Sequence, residues 1–542
     1  MSMYKRIIRM TVAAMLILAM VGLSYQAEAV AGDQSPNPAL VIESGPLKGI
    51  TSRTIHKFLG IPYAAPPVGS LRWTAPQPYR RWHGLFKATE LGNSCPQPGS
   101  SGSAFGDENC LFLNVYTPGH KKNRHRHDGL PVMVWIHWGG LTRTSGGFFD
   151  PTPLVEKGEV IVVTINYRLG VLGFFAHPAL DAEGHVNANY GLMDQQFALQ
   201  WVRRNIAAFG GDPQRVTIFG ESAGGLSVYA NLASPTAAGL FHRAIAQSGA
   251  YTSFQNYQQS IVPLAVAEAG GSAFAAQVGC GDGTAQCLRA TSATTLVNVQ
   301  PSEVFPIVDG TVLTQPPGAA FAGGQFNRVP VITGSTHDEW RSFVAGGYDY
   351  LGNPLTDAAY PQAVADFVPP NPSKDFFVQL LLLRYPLSNY PLLPGVVSRA
   401  PFALGALGTD AVHSCPGRNA ARLLSQYVPT YAYEFNDANA PLSFGLVPVS
   451  FPLGSYHGSE LSYLFNFATT PAPTLAQRQL SDAMIGYWSQ FARAGDPNAS
   501  RSPAWSPYNA ATDQFQSLVP PTPTVEFNFD TAHQCSSFWN LF

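Results

Sequence analysis

Short runs of branched apolar residues alternate along the chain with longer stretches whose apolar positions recur every three or four residues. Five runs, at residues 132–138, 160–166, 216–220, 244–248 and 329–334, contain no Asp, Glu, Lys or Arg. Short uncharged runs of this kind predict strands buried on both faces. Between the second and third, residues 189–209 place Met193, Phe197 and Trp201 at four-residue spacing, with Val202 and Ile206 widening the stripe. That spacing predicts an amphipathic helix, with Asn189 as its cap. A second helix is expected over residues 479–494, with Met484, Trp488 and Phe491 on one face before the stop Gly495-Asp496-Pro497. Strands alternating with helices imply an α/β fold with a large, mostly parallel sheet covered on both sides.

Composition sharpens this picture. Of 542 residues, 45% are hydrophobic and only 12% charged, against about 25% in an ordinary globular protein. With 51 glycines and 45 prolines, the surface is expected to be rich in turns and lightly charged. Residues 340–410 lack clear periodicity and read as helical and loop insertions that wall or cover a site. A net charge of -2 gives no footprint for a nucleic acid or an anionic membrane, so a small, nearly neutral partner fits better. The one charge run, at residues 121–127, reads as a solvated loop.

Residues 1–29 have the pattern of a cleavable signal peptide: Lys5, Arg6 and Arg9, an apolar stretch too short to span a bilayer, then Ala27-Glu28-Ala29. The expectation is a single catalytic domain over residues 30–542, secreted or periplasmic, without a stable membrane anchor. In an oxidising compartment six cysteines suggest three disulfides, although composition alone leaves 15 pairings open. Cys95 with Cys110 and Cys280 with Cys287 would close short loops, leaving Cys415 to hold Cys535.

The candidate chemistry begins at Gly220-Glu221-Ser222-Ala223-Gly224. This Gly-x-Ser-x-Gly run follows a strand signal and precedes a helix signal, the setting in which flanking glycines let a strained turn project a serine hydroxyl above a sheet. A serine hydroxyl is a poor nucleophile at neutral pH and needs a base, which in turn needs an orienting acid. His457, beside Gly458 in a turn after a strand at 430–435, is the candidate base. Asp338 and Glu339, just beyond the strand ending at Gly334, are candidate acids, with Asp410 a remote alternative.

At these motifs the chain resembles the type-B carboxylesterases and cholinesterases of the α/β-hydrolase superfamily. The resemblance runs through Phe58-Leu59-Gly60-Ile61-Pro62-Tyr63-Ala64, Pro66-Pro67-Val68-Gly69, Cys110-Leu111-Phe112-Leu113-Asn114-Val115-Tyr116, Asn166-Tyr167-Arg168-Leu169-Gly170, the serine motif and His457-Gly458-x-Glu460. It implies an α/β-hydrolase fold and an esterase triad of Ser222, His457 and Glu339, with Asp338 reduced to a neighbour. It also implies oxyanion donors at Gly139, Gly140 and Ala223, supporting roles for Glu221 and Ser248, and the three pairings Cys95–Cys110, Cys280–Cys287 and Cys415–Cys535. The reaction implied is hydrolysis of a small-molecule ester by water through an acyl-enzyme, with no metal or organic cofactor. An inactive binding or adhesion protein, or an amidase or lactonase with the same triad, are the alternatives.

The chain departs from the family pattern around the oxyanion segment. Trp138, in His137-Trp138-Gly139-Gly140-Leu141, stands where the family mostly has glycine, and Trp340 follows Glu339 where glycine is common. Trp138, Leu141, Arg143 and Trp340 are therefore candidate pocket residues. Trp138 either shapes the pocket wall or only fills core. Arg143 either grips a carboxylate on the substrate or makes an exposed salt bridge, the simpler of the two readings. The loop from Cys95 to Cys110 holds no tryptophan, which disfavours choline esters, since cholinesterases carry a cation-binding aromatic there.

Overall fold

The computed structural model describes residues 37–541, apart from residues 53, 100–101, 120–128, 186–187, 251–260 and 500–501. The expected signal peptide and the 121–127 charge run lie outside the described residues. At the centre is an eleven-stranded sheet. In chain order its strands are β1 (Ile50–Ser52), β2 (Ile55–Pro62), β3 (Phe112–Pro118), β4 (Leu130–Ile136), β5 (Ile161–Ile165), β6 (Gly211–Glu221), β7 (Arg243–Gln247), β8 (Val331–Thr336), β9 (Thr430–Phe435), β10 (Phe515–Leu518) and β11 (Thr524–Glu526). In space the order is β11-β10-β9-β8-β7-β6-β4-β5-β3-β2-β1. The block from β10 to β5 is parallel throughout, while β3, β2, β1 and β11 pair antiparallel at the two edges.

The five apolar runs are the core of that parallel block, and the side chains of β4 and β5 beyond Leu130 are fully buried. Two large apolar clusters cover the sheet. One includes Met133, Trp135, Phe219 and Ile245; the other includes Val134, Ile136, Ile218 and Ala246. Neighbouring residues on one strand fall in opposite clusters, as the two-residue repeat of a strand requires.

Helix α1 spans Tyr190–Asn205 and is followed by a 3-10 turn, Ile206–Phe209. Its packing differs from the sequence expectation in two respects. Met193 and Phe197 are only half-buried, while Asp194, Gln195 and Gln196 are buried alongside Leu199 and Val202. Those polar groups are satisfied internally: Arg168 donates to Asp194, Gln195 donates to Ser227, and Gln196 donates to Ser234. Nor does the Asn189 side chain cap the helix. Its Oδ1 accepts from Ile307 N at 2.8 Å and its Nδ2 donates to Ile307 O, so it ties two segments together instead.

Helix α2 (Ala223–Ala233) springs directly from Ser222. The 340–410 stretch forms the helices α3 (Arg341–Gly347) and α4 (Ala400–Gly408), with further helices at Tyr360–Phe367 and Lys374–Arg384 between them. The last long helix, α5 (Leu475–Ala494), starts a turn earlier than its apolar face suggested. Thr474 and Gln477 form a reciprocal capping box there, which satisfies two otherwise unpaired amide N–H groups. Disulfides join Cys95 to Cys110, Cys280 to Cys287 and Cys415 to Cys535, the pairings that the resemblance implies. Among the described residues no helix is long and apolar enough to cross a membrane.

Candidate active site

Four segments meet at the carboxyl ends of the parallel strands, where ligands bind in open α/β sheets. β4 runs into residues 137–144, β6 into Ser222, β8 into His337-Asp338-Glu339, and the segment after β9 brings in His457.

Ser222 has φ 57° and ψ -123°, a left-handed backbone that a non-glycine residue adopts only under strain. Packing enforces it. The Ser222 N–H donates to Gln247 O at 2.9 Å, and its carbonyl accepts the first helical bond of α2 from Leu226. A β-carbon at Gly224 would lie 2.0 Å from Ile136 O, and one at Gly220 2.5 Å from Gly224 C, so both glycines are demanded by close backbone approach. The serine therefore stands at the mouth of the sheet, lining a cavity of about 60 Å³ with Trp138, Gly139, Glu221, Ser342, Phe343, Phe444, Leu446, His457 and Gly458.

Behind the cavity, His457 Nδ1 meets Glu339 Oε2 at 2.5 Å. The other carboxylate oxygen accepts from the Ser248 hydroxyl at 2.5 Å and from Thr336 N at 2.8 Å. Burial would by itself raise the Glu339 carboxyl. The neighbouring imidazoles of His413 and His457, with the hydrogen bonds from His457 and Ser248, outweigh it and hold the group down at about 2. An ionised carboxylate can only accept, so Nδ1 carries the hydrogen of that bond, and in the neutral ring the lone pair falls on Nε2. Among the described residues Nε2 is buried without a hydrogen-bond partner; Glu221 Oε1 approaches it to 3.3 Å without hydrogen-bond alignment.

Two more buried carboxyls, Glu221 and Glu460, behave in the opposite way. Burial pushes both well above the usual carboxylate range, and the charge of Glu339 adds to the effect. Glu460 accepts from Gln247 Nε2 at 3.1 Å, and Gln247 Oε1 accepts from the Trp488 indole at 3.2 Å. One carboxyl held below the usual carboxylate range and two pushed above it thus lie around one imidazole.

The other candidate acids are committed elsewhere. Asp338 pairs with Arg341 at 2.8 Å and accepts from Ser455 N. Asp410 pairs with His533 at 2.6 Å and accepts from Tyr385. His413, which sequence reasoning did not single out, belongs to this site. It lies on a π-helical turn, Thr409–Ser414, directly after α4, with its ring 5.0 Å from that of His457. Burial holds it down at about 4, so at neutral pH it stands uncharged beside Glu339. No 3.6-residue repeat marks a π-turn, so its only sequence signal was a histidine in an apolar stretch.

Of the candidate pocket residues, Trp138 lines the cavity and meets Phe148, Phe149 and Phe444 edge to face at 5.7, 5.9 and 5.6 Å. Trp340 lies one layer back, stacked on Phe343 at 4.5 Å and pressed against Gly408. Leu141 is 1% exposed and belongs to the core. The exposed salt bridge expected for Arg143 does not form: among the described residues it has no carboxylate partner, and its Nη1 is buried without any partner. Gly139 lines the cavity with φ 110°, Gly140 follows it with φ 62°, and Ala223 is the first residue of α2.

The carboxylesterase family model matches residues 36–538. Para-nitrobenzyl esterase of Bacillus subtilis (strain 168) is 34% identical over 498 residues, 86% of this chain and 92% of that protein. Liver carboxylesterase 1 of Oryctolagus cuniculus is 32% identical over 512 residues, 84% of each chain. A solved structure of PNB esterase superposes with a TM-score of 0.72 at 30% identity, covering 93% of this chain and all of that one. With its α/β-hydrolase sheet and these relatives, the chain belongs to the carboxylesterase family and is a carboxylic ester hydrolase.

Proposed function

We propose that the enzyme hydrolyses small-molecule esters in two steps through an acyl-enzyme on Ser222, with His457 as base and then acid and Glu339 as its orienting carboxylate. The observation that carries this reading is the pairing of His457 Nδ1 with an ionised Glu339 while Nε2 and the strained Ser222 line one cavity. His457 takes the serine proton as the hydroxyl attacks the ester carbonyl, and returns it to the departing alkoxide. Water then enters and gives its proton to the same nitrogen as it attacks the acyl carbonyl, and His457 passes that proton to the Ser222 oxygen as the acid leaves. Gly139, Gly140 and Ala223 offer N–H groups to the tetrahedral oxyanion, a contribution of about 3 kcal/mol per donor in comparable sites.

The reading extends to residues 30–542 as one catalytic domain, exported after loss of residues 1–29. The three disulfides among the described residues support an oxidising compartment. A panel of para-nitrophenyl esters with their matching anilides tests the activity. Ester turnover that disappears in Ser222→Ala is expected. Faster turnover of the anilides, or activity surviving Ser222→Ala, would overturn the reading.

A further inference from the structure

Among the described residues the most deeply buried arginines, Arg72, Arg168 and Arg418, are each neutralised on the spot. Arg72 pairs with Glu108 at 2.6 Å, Arg168 with Asp194 at 2.8 Å and Arg418 with Asp513 at 2.9 Å. Such pairing is what burial of a guanidinium requires, because its solvation by water is lost. Arg143 breaks the pattern. It is largely withdrawn from water, yet no carboxylate among the described residues faces it, and its Nη1 is buried without a hydrogen-bond partner. The residue keeps part of its surface open, so it is not sealed in the core.

Its backbone adjoins the segment that lines the cavity at Ser222. The Arg143 N–H donates to Gly139 O at 3.1 Å, and Gly139 lines the cavity beside Ser222. The backbone there is held from both sides. Gly170 N donates to Leu141 O at 2.7 Å, while Gln97 receives Thr144 N at 2.7 Å and donates to Thr144 O at 3.0 Å. Leu141 and Thr144 both carry positive φ, a strain that persists only where the surroundings fix it. The carboxyls of the site cannot serve Arg143. Glu339 is engaged by His457, Ser248 and Thr336, and burial keeps Glu221 and Glu460 from ionising readily.

We infer that Arg143 is a substrate-recognition residue whose missing counterion is a carboxylate borne by the ester itself, so that the enzyme prefers esters carrying a free acid group. A guanidinium on rigid backbone presents its donors in a fork that matches a carboxylate, and the pair gains strength from partial desolvation. An uncharged ester leaves the cation unpaired, and discrimination arises from that penalty. The inference rests on the proposed esterase site and adds a substrate class to it.

The test uses the full-length mature enzyme and two matched pairs of substrates. Mono-para-nitrophenyl adipate is compared with para-nitrophenyl hexanoate, placing the acid on the acyl side; para-acetoxybenzoate is compared with phenyl acetate, placing it on the alcohol side. Arg143→Gln is expected to lower kcat/KM for the acid-bearing member of one pair about 10- to 100-fold, the loss of a charged hydrogen-bonded contact. The uncharged members should change by less than about threefold, Arg143→Lys should recover part of the loss, and the affected pair identifies the side. Equal effects on both members of both pairs, including no effect, would overturn the inference. Should Arg143→Gln fail to fold, the wild-type enzyme decides: salt must raise KM for an acid-bearing ester and not for its match. Ser222→Ala, assayed on all four esters, separates this outcome from failure of the esterase reading, because only the latter leaves that variant active.

Discussion

Ser248 donates its hydroxyl to Oε1 of Glu339 at 2.5 Å, which leaves Oε2 to face His457 Nδ1. Ser248 itself has φ 47°, so its backbone is bent to make this contact. Its hydrogen bond helps to hold the carboxylate both ionised and aimed. Ser248→Ala is expected to lower kcat about tenfold while KM moves less than threefold, the range for one lost hydrogen bond to a charged group. Steady-state kinetics on a para-nitrophenyl ester measure it, and an unchanged kcat would remove Ser248 from the account.

Glu339 and His413 both make the protein less stable in acid, each over its own pH window. Glu339 has its carboxyl lowered to about 2 from an ordinary 4.5, so its contribution to stability is present above pH 4.5 and is lost as pH falls through about 2. His413 is lowered to about 4 from 6.5, so the unfolded chain takes its proton first. Stability therefore falls as pH drops from 6.5 to about 4, by about 3 kcal/mol in the limit of an isolated group. His413→Gln should flatten urea-unfolding free energy between pH 6.5 and 4, while Glu339→Gln should flatten it only below pH 4.5. A His413→Gln curve parallel to wild type would contradict this assignment.

Trp138 fills the cavity wall where the resembling family mostly has glycine, and its ring is held by Phe148, Phe149 and Phe444. Removing an indole from such a cluster leaves a cavity that bulky substrates can occupy. Trp138→Gly is expected to raise the ratio of kcat/KM for a bulky ester over an acetate at least tenfold. It should also lower stability by about 3 kcal/mol or more. An unchanged ratio would mean that the indole only fills core.

Much of this was legible in the sequence because the strands of the parallel block are continuous apolar runs. The Gly-x-Ser-x-Gly turn, with strand before and helix after, announced the elbow that the backbone of Ser222 adopts. Glu339 was less legible, since Asp338 beside it is equally acidic. Their separation follows from facing: Asp338 turns to Arg341, whereas Glu339 turns inward to His457. Three features escaped periodicity altogether. The polar residues of α1 are buried through partners distant in sequence, His413 sits on a π-turn, and the unpaired state of Arg143 depends on what surrounds it in space. Asn189 shows a related failure, because a cap signal cannot reveal that a better partner, Ile307, lies nearby in the fold.

The central claim is that Ser222 carries the acyl group. Intact-mass and peptide mass spectrometry after treatment with a para-nitrophenyl phosphonate tests it most directly. The account predicts one phosphonyl group per chain, located on Ser222, release of one equivalent of para-nitrophenol, complete loss of esterase activity, and no labelling of Ser222→Ala. Labelling at another residue with loss of activity, or full esterase activity in Ser222→Ala, would contradict it.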